Sequence, residues 1–121
     1  MPRFVLLEHQ WNGVHWDLML EAGEGLRTWA VDAPIVPGVE LGARALPDHR
    51  AVYLDYEGPI SGGRGTVRRV DSGSFEAIEW RDDLVQVRLE GRQLVGIAVL
   101  CRIGSDPAGG SRWSLRVGKV D

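Results

Sequence analysis

Apolar residues run through this chain in short stretches with turn residues between them. The three-to-four-residue spacing of a long amphipathic helix is missing. Residues 4–7 form a compact apolar run. Over residues 14–21 the pattern alternates. Val14, Trp16, Leu18 and Leu20 fall on one side of an extended chain, and His15, Asp17, Met19 and Glu21 on the other. Residues 22–25 read as a hairpin turn and 26–31 as its return strand, which sets Trp16 and Trp29 facing each other across the hairpin. Pro34, Pro37, Gly38 and Gly42 mark a long loop, with room for a short helix in residues 34–48. Residues 51–57 alternate again, and further strands are predicted at 66–70, 74–80, 84–89, 93–102 and 112–117. The frequent short strands predict a mainly β fold: one domain over residues 1–121, a compact antiparallel β-barrel with short helical or irregular connections.

Composition narrows the function classes. A chain of 121 residues that is 44% hydrophobic and 26% charged is long enough to bury its own core. The net charge of −3 argues against sequence-independent wrapping of long duplex DNA, yet it permits a local site for a phosphorylated end. The single cysteine, Cys101, excludes an intrachain disulfide and reads as a small apolar core residue. No signal peptide and no membrane-spanning run is visible, so a cytoplasmic location and no membrane partner are expected.

Two clusters carry candidate chemistry. His15 and Asp17 are two apart, which puts them on one face of a strand. His9 lies just before a turn at residues 11–13 that folds it back beside them. Two imidazoles and a carboxylate suit a first-row divalent metal at the mouth of the barrel. The same spacing also suits a hydrogen-bonded surface pair. The second cluster is Asp48-His49-Arg50 with Tyr53, read as the start of the strand that runs to residue 57. It contacts phosphate oxygens or donates a proton to a leaving group, or else it is an ordinary loop-to-strand boundary. Ser61-Gly62-Gly63-Arg64-Gly65 lacks a P-loop lysine and reads as a flexible connection. Arg68 and Arg69 read as a solvated strand edge, and the five tryptophans are too scattered to argue a stacking platform.

The ordered motifs resemble a known family. His9-x5-His15-x-Asp17-Leu18-x-Leu20-Glu21 is similar to the opening motif of the 3′-phosphoesterase domain of bacterial DNA ligase D. The similarity continues through Thr28-Trp29-Ala30-Val31, Asp48-His49 with Tyr53, and Asp55-Tyr56-Glu57-Gly58. It then takes in Gly65-Thr66-Val67, Asp71-x-Gly73-x-Phe75, Leu94-x-Gly96 and Trp113-x-Leu115. The resemblance implies a β-barrel with a grooved active site. It also implies manganese-dependent removal of a 3′-ribonucleoside and then a 3′-phosphate from DNA ends during non-homologous end joining. On that basis His9, His15 and Asp17 hold Mn²⁺ (or another divalent metal such as Zn²⁺ or Co²⁺), and His49 and Tyr53 are catalytic. The implied partners are nucleic-acid 3′ ends and a DNA ligase or polymerase met in trans.

Several positions depart from the family's pattern. Met19 stands where the family usually has an arginine, Leu41 takes the place of another, and Asp32-Ala33-Pro34 lacks the family's lysine. Arg44, Arg50 and Arg64 are the cations left to bind phosphate. The alternative reading is a non-catalytic, metal-binding relative that recognises nucleic-acid ends or a repair partner.

Overall fold

The computed structural model describes residues 1–118. Its strands are β1 (Arg3–Gln10), β2 (Val14–Ala22), β3 (Gly25–Val31), β4 (Leu41–Arg50), the two-residue β5 (Gly58–Pro59), β6 (Thr66–Trp80), β7 (Leu84–Gly91), β8 (Val95–Ser105) and β9 (Ser111–Val117). One 3₁₀ turn, Ala51–Leu54, comes after β4. The hydrogen-bonded order is β1-β2-β3-β4-β9-β8-β7-β6, and β6 pairs back onto β1. Every pairing is antiparallel, so eight strands close into a barrel whose wall has no free edge. Among the described residues no helix is long and apolar enough to cross a membrane.

Strand alternation sends one set of side chains into the barrel. Phe4, Leu6, Leu18, Leu20, Trp29, Phe75, Val87, Leu89, Leu100, Trp113 and Leu115 form its core. The other set on β1 and β2 points outward, and part of it is buried a second time. Val5, Leu7, Met19, Leu26, Leu54 and Val67 make a separate cluster against Tyr53, Tyr56 and Ile60. The chain between β4 and β6 therefore roofs the outer face of β1 and β2. This double burial explains why residues 4–7 are apolar without alternating.

Several expectations are corrected. Leu41–Arg50 is a strand rather than loop or helix. Its exposed residues Gly42, Arg44, Asp48 and Arg50 are polar or small, and Pro47 interrupts the pattern, so little alternation is visible. The alternation at 51–57 belongs to the 3₁₀ turn and the three residues after it, because Tyr53, Leu54 and Tyr56 dock on the outer cluster. Trp16 pairs with Val31 and Trp29 with Leu18. The aromatic partner of Trp29 is Trp113, 5.5 Å away and edge-on. Arg68 and Arg69 lie where β6 pairs with β1 alone, as the solvated edge expected of them, and their side chains reach Glu8 and Glu57.

The two predicted strands at 66–70 and 74–80 are one. Leu6 pairs with Asp71 and Leu7 with Arg69, so Val70 is an extra residue that bends β6. The buried Asp71 carboxylate accepts the backbone N–H groups of Ser72, Arg92, Gln93 and Leu94 at 2.7–3.1 Å. It thereby fixes the β7–β8 turn. A Cβ at Gly73 would overlap the Glu90 carbonyl. The Asp71-x-Gly73-x-Phe75 motif is thus a packing device of the barrel.

Candidate metal centre

Strand register assembles the first cluster. His9 lies opposite His15 across the β1–β2 pair, and Asp17 follows His15 on the same outward face. His9 Nδ1 is 3.2 Å from His15 Nε2. Asp17 Oδ1 is 3.2 Å from His15 Nε2, and Asp17 Oδ2 is 3.7 Å from His9 Nδ1. One ligand atom from each residue can be chosen with all three within 4.8 Å of one another. Ligands about 2.1 Å from a divalent ion sit ~3.0–3.4 Å apart, so the set has the right dimensions. The cluster lies on the outer wall of the barrel, not at its mouth, because positions 9, 15 and 17 alternate with the core-facing positions 16 and 18.

Asp17 is 2% exposed, and its Oδ1 is buried without a hydrogen bond despite the nearby imidazole. Burial pushes the Asp17 carboxyl upward, against the opposing pull of His15, His49 and His9. An orphaned buried oxygen beside two imidazole nitrogens is what a cation would satisfy. The outer support is in place as well. His9 Nε2 lies 2.7 Å from the Arg64 carbonyl, which can only accept, so that nitrogen carries the proton and Nδ1 faces the cluster. Gly65 lets this loop approach, since its φ is +80° and a Cβ would overlap the Gln10 carbonyl. The glycine-rich segment is therefore pinned, with Ile60 N–H also bonded to the Gly65 carbonyl at 2.8 Å.

The cluster opens into a cleft of about 300 Å³. His49 and Tyr53 line it with their rings 5.9 Å apart and edge-on, and Arg44 and Arg64 line it too. His49 Nδ1 donates to the Pro47 carbonyl at 2.9 Å, which leaves Nε2 for proton chemistry. His49 and Asp48 close β4 instead of opening a strand. Arg50 does not line this cleft; it borders a neighbouring hollow with Val52 and Tyr56. Arg44 is two strands from Asp17 in the row Asp17–Ala30–Arg44 and is paired with Asp32 at 3.2 Å. A larger hollow of about 480 Å³ on the far side of Arg44 contains no metal-ligating cluster among the described residues. Trp11 and Leu46 also line the cleft, and neither stood out in the sequence. Trp11 is recognisable only once the β1–β2 turn brings it beside His9.

Residues 7–102 match the family model described as the DNA ligase D 3′-phosphoesterase domain. The chain belongs to that family. It is 31% identical over 119 residues to the multifunctional non-homologous end joining DNA repair protein LigD of Mycobacterium tuberculosis (strain ATCC 25618 / H37Rv). The corresponding LigD of Mycobacterium bovis (strain ATCC BAA-935 / AF2122/97) is equally similar. Each alignment covers 91% of this chain and 15% of the relative, so the chain spans about one seventh of the proteins it matches. The Met19 side chain also lies in the cleft. It is 1% exposed, belongs to the outer apolar cluster and forms part of the cleft floor.

Proposed function

We propose that this domain is a metal-dependent phosphoesterase that removes a 3′-ribonucleoside or 3′-phosphate from nucleic-acid ends during DNA repair. The observation that carries the reading is the buried, unsatisfied Asp17 oxygen facing His9 and His15 in a cleft walled by His49 and Tyr53. His9 Nδ1, His15 Nε2 and an Asp17 carboxylate oxygen would hold the ion, Mn²⁺ or another divalent metal. A bound ion there supplies charge to stabilise the developing phosphoryl oxyanion and lowers the pKa of water. His49 exchanges a proton through Nε2 with the departing oxygen, and the Tyr53 hydroxyl hydrogen-bonds a phosphate oxygen. Arg64 and Arg44 supply the remaining positive charge, Arg44 by leaving Asp32 for the substrate. Arg50 has no place in this scheme. A ligase or polymerase supplied in trans would use the healed end.

The apolar floor at Met19 favours a second reading, an end-binding domain without turnover, because a thioether cannot neutralise a phosphate oxygen. One assay separates the two. A labelled primer–template ending in a 3′-ribonucleotide or 3′-phosphate is incubated with the protein, with and without Mn²⁺, beside His15→Ala. Metal-dependent shortening or dephosphorylation, lost in the variant, is the expected result. Stoichiometric Mn²⁺ binding with no product from either end would establish the binding-only reading.

A further inference from the structure

The tip of the β1–β2 hairpin carries a feature that the phosphate chemistry does not use. Trp11 is 45% exposed, yet its ring is held. One face is stacked on His9, with centroids 6.1 Å apart and planes 24° from parallel. Its backbone N–H bonds the Gly13 carbonyl at 2.9 Å in a turn where Asn12 has φ +53°. Its Cβ is closely approached by Gly65 across the cleft rim. A flat aromatic surface has thus been fixed beside a candidate metal ligand, at the edge of a cleft with few cations.

We propose that Trp11 is the stacking platform for the nucleobase of the nucleotide whose 3′-phosphate enters the cleft. The inference rests on the phosphoesterase reading and adds how the strand end is gripped. A base joined to a phosphate at the His9–His15–Asp17 cluster need not cross the cleft to reach the indole, because Trp11 adjoins His9. Base, indole and imidazole then form one continuous stack. Every base offers a π-face, so this contact favours nucleic-acid ends over small phosphate esters without selecting a sequence. The rigid, pre-placed ring loses little entropy on binding.

The test compares oligonucleotides bearing a 3′-phosphate on either a normal or an abasic terminal nucleotide. Wild type, Trp11→Phe and Trp11→Ala are assayed with Mn²⁺. Wild type should favour the base-bearing end in kcat/KM by ~10-fold, in the range of a base–aromatic stack. That preference should persist in Trp11→Phe and collapse towards unity in Trp11→Ala. A preference that survives intact in Trp11→Ala would overturn the proposal. Should wild type release no phosphate, the phosphomonoesterase half of that reading fails and fluorescence decides the stacking alone. Quenching by the base-bearing oligonucleotide that disappears in Trp11→Phe supports the platform, and quenching unchanged in that variant, or absent from wild type, overturns it.

Discussion

Folding strips water from the Asp17 carboxylate and returns no hydrogen bond to its Oδ1, a cost the barrel bears in the absence of a cation. Asp17→Asn keeps the shape and removes the charge. The metal-free variant should melt at the same or a higher temperature than wild type by calorimetry. Its Mn²⁺ affinity in titration calorimetry should fall by more than about 100-fold, since a direct ligand matters at least as much as its outer partners. A lower melting temperature with affinity unchanged would make Asp17 a structural residue. Tyr53 gives the converse case. Tyr53→Phe should bind Mn²⁺ within about twofold of wild type and lose roughly tenfold or more in kcat. Equal kcat in steady-state assays would remove the phenol from the chemistry.

At the scale of elements, the connection from β4 to β6 does two jobs, covering the outer apolar cluster and delivering the Arg64 carbonyl to His9. Gly65→Ala forces a side chain into the Gln10 backbone at a positive φ, so it should cost about 1–3 kcal/mol in urea unfolding. It should also weaken Mn²⁺ binding by ~10-fold or more as His9 loses its anchor. This connection was the part least legible in the sequence. The β2 face carrying His15 and Asp17 could be read directly from alternation, and the turn at residues 11–13 placed His9 correctly. Residues 51–57 alternate as a strand would, but their apolar side chains answer to a 3₁₀ turn docked on the outer face of the barrel wall. β4 was hidden for the opposite reason, being paired on both sides yet showing little apolar periodicity around Pro47. Arg50, at the end of β4, borders the neighbouring hollow that Tyr53 also lines.

The whole molecule depends on contacts distant in sequence. Closure pairs β1 with β6, and Trp29 meets Trp113 across the interior. Patterning gave the barrel class, but no local signal reports which strands close it. Asp71 is one such long-range lock, joining the bend of β6 to residues 92–94. Asp71→Ala leaves the buried Leu94 N–H and three part-buried N–H groups without their acceptor and should cost ~1–3 kcal/mol in denaturant unfolding. Mn²⁺ affinity of the folded fraction should remain within about twofold, because the lock lies apart from the cleft.

The separation of the two apolar clusters has a dynamic consequence. The barrel wall is sealed by its own ladder, whereas the roof over the candidate site rests on six buried side chains outside that wall. The amides of residues 51–65 should therefore exchange with deuterium through a small, sub-global opening, while those of β7 and β8 exchange only on complete unfolding. Strand ends of different size would then meet a pocket that can loosen while the scaffold stays folded.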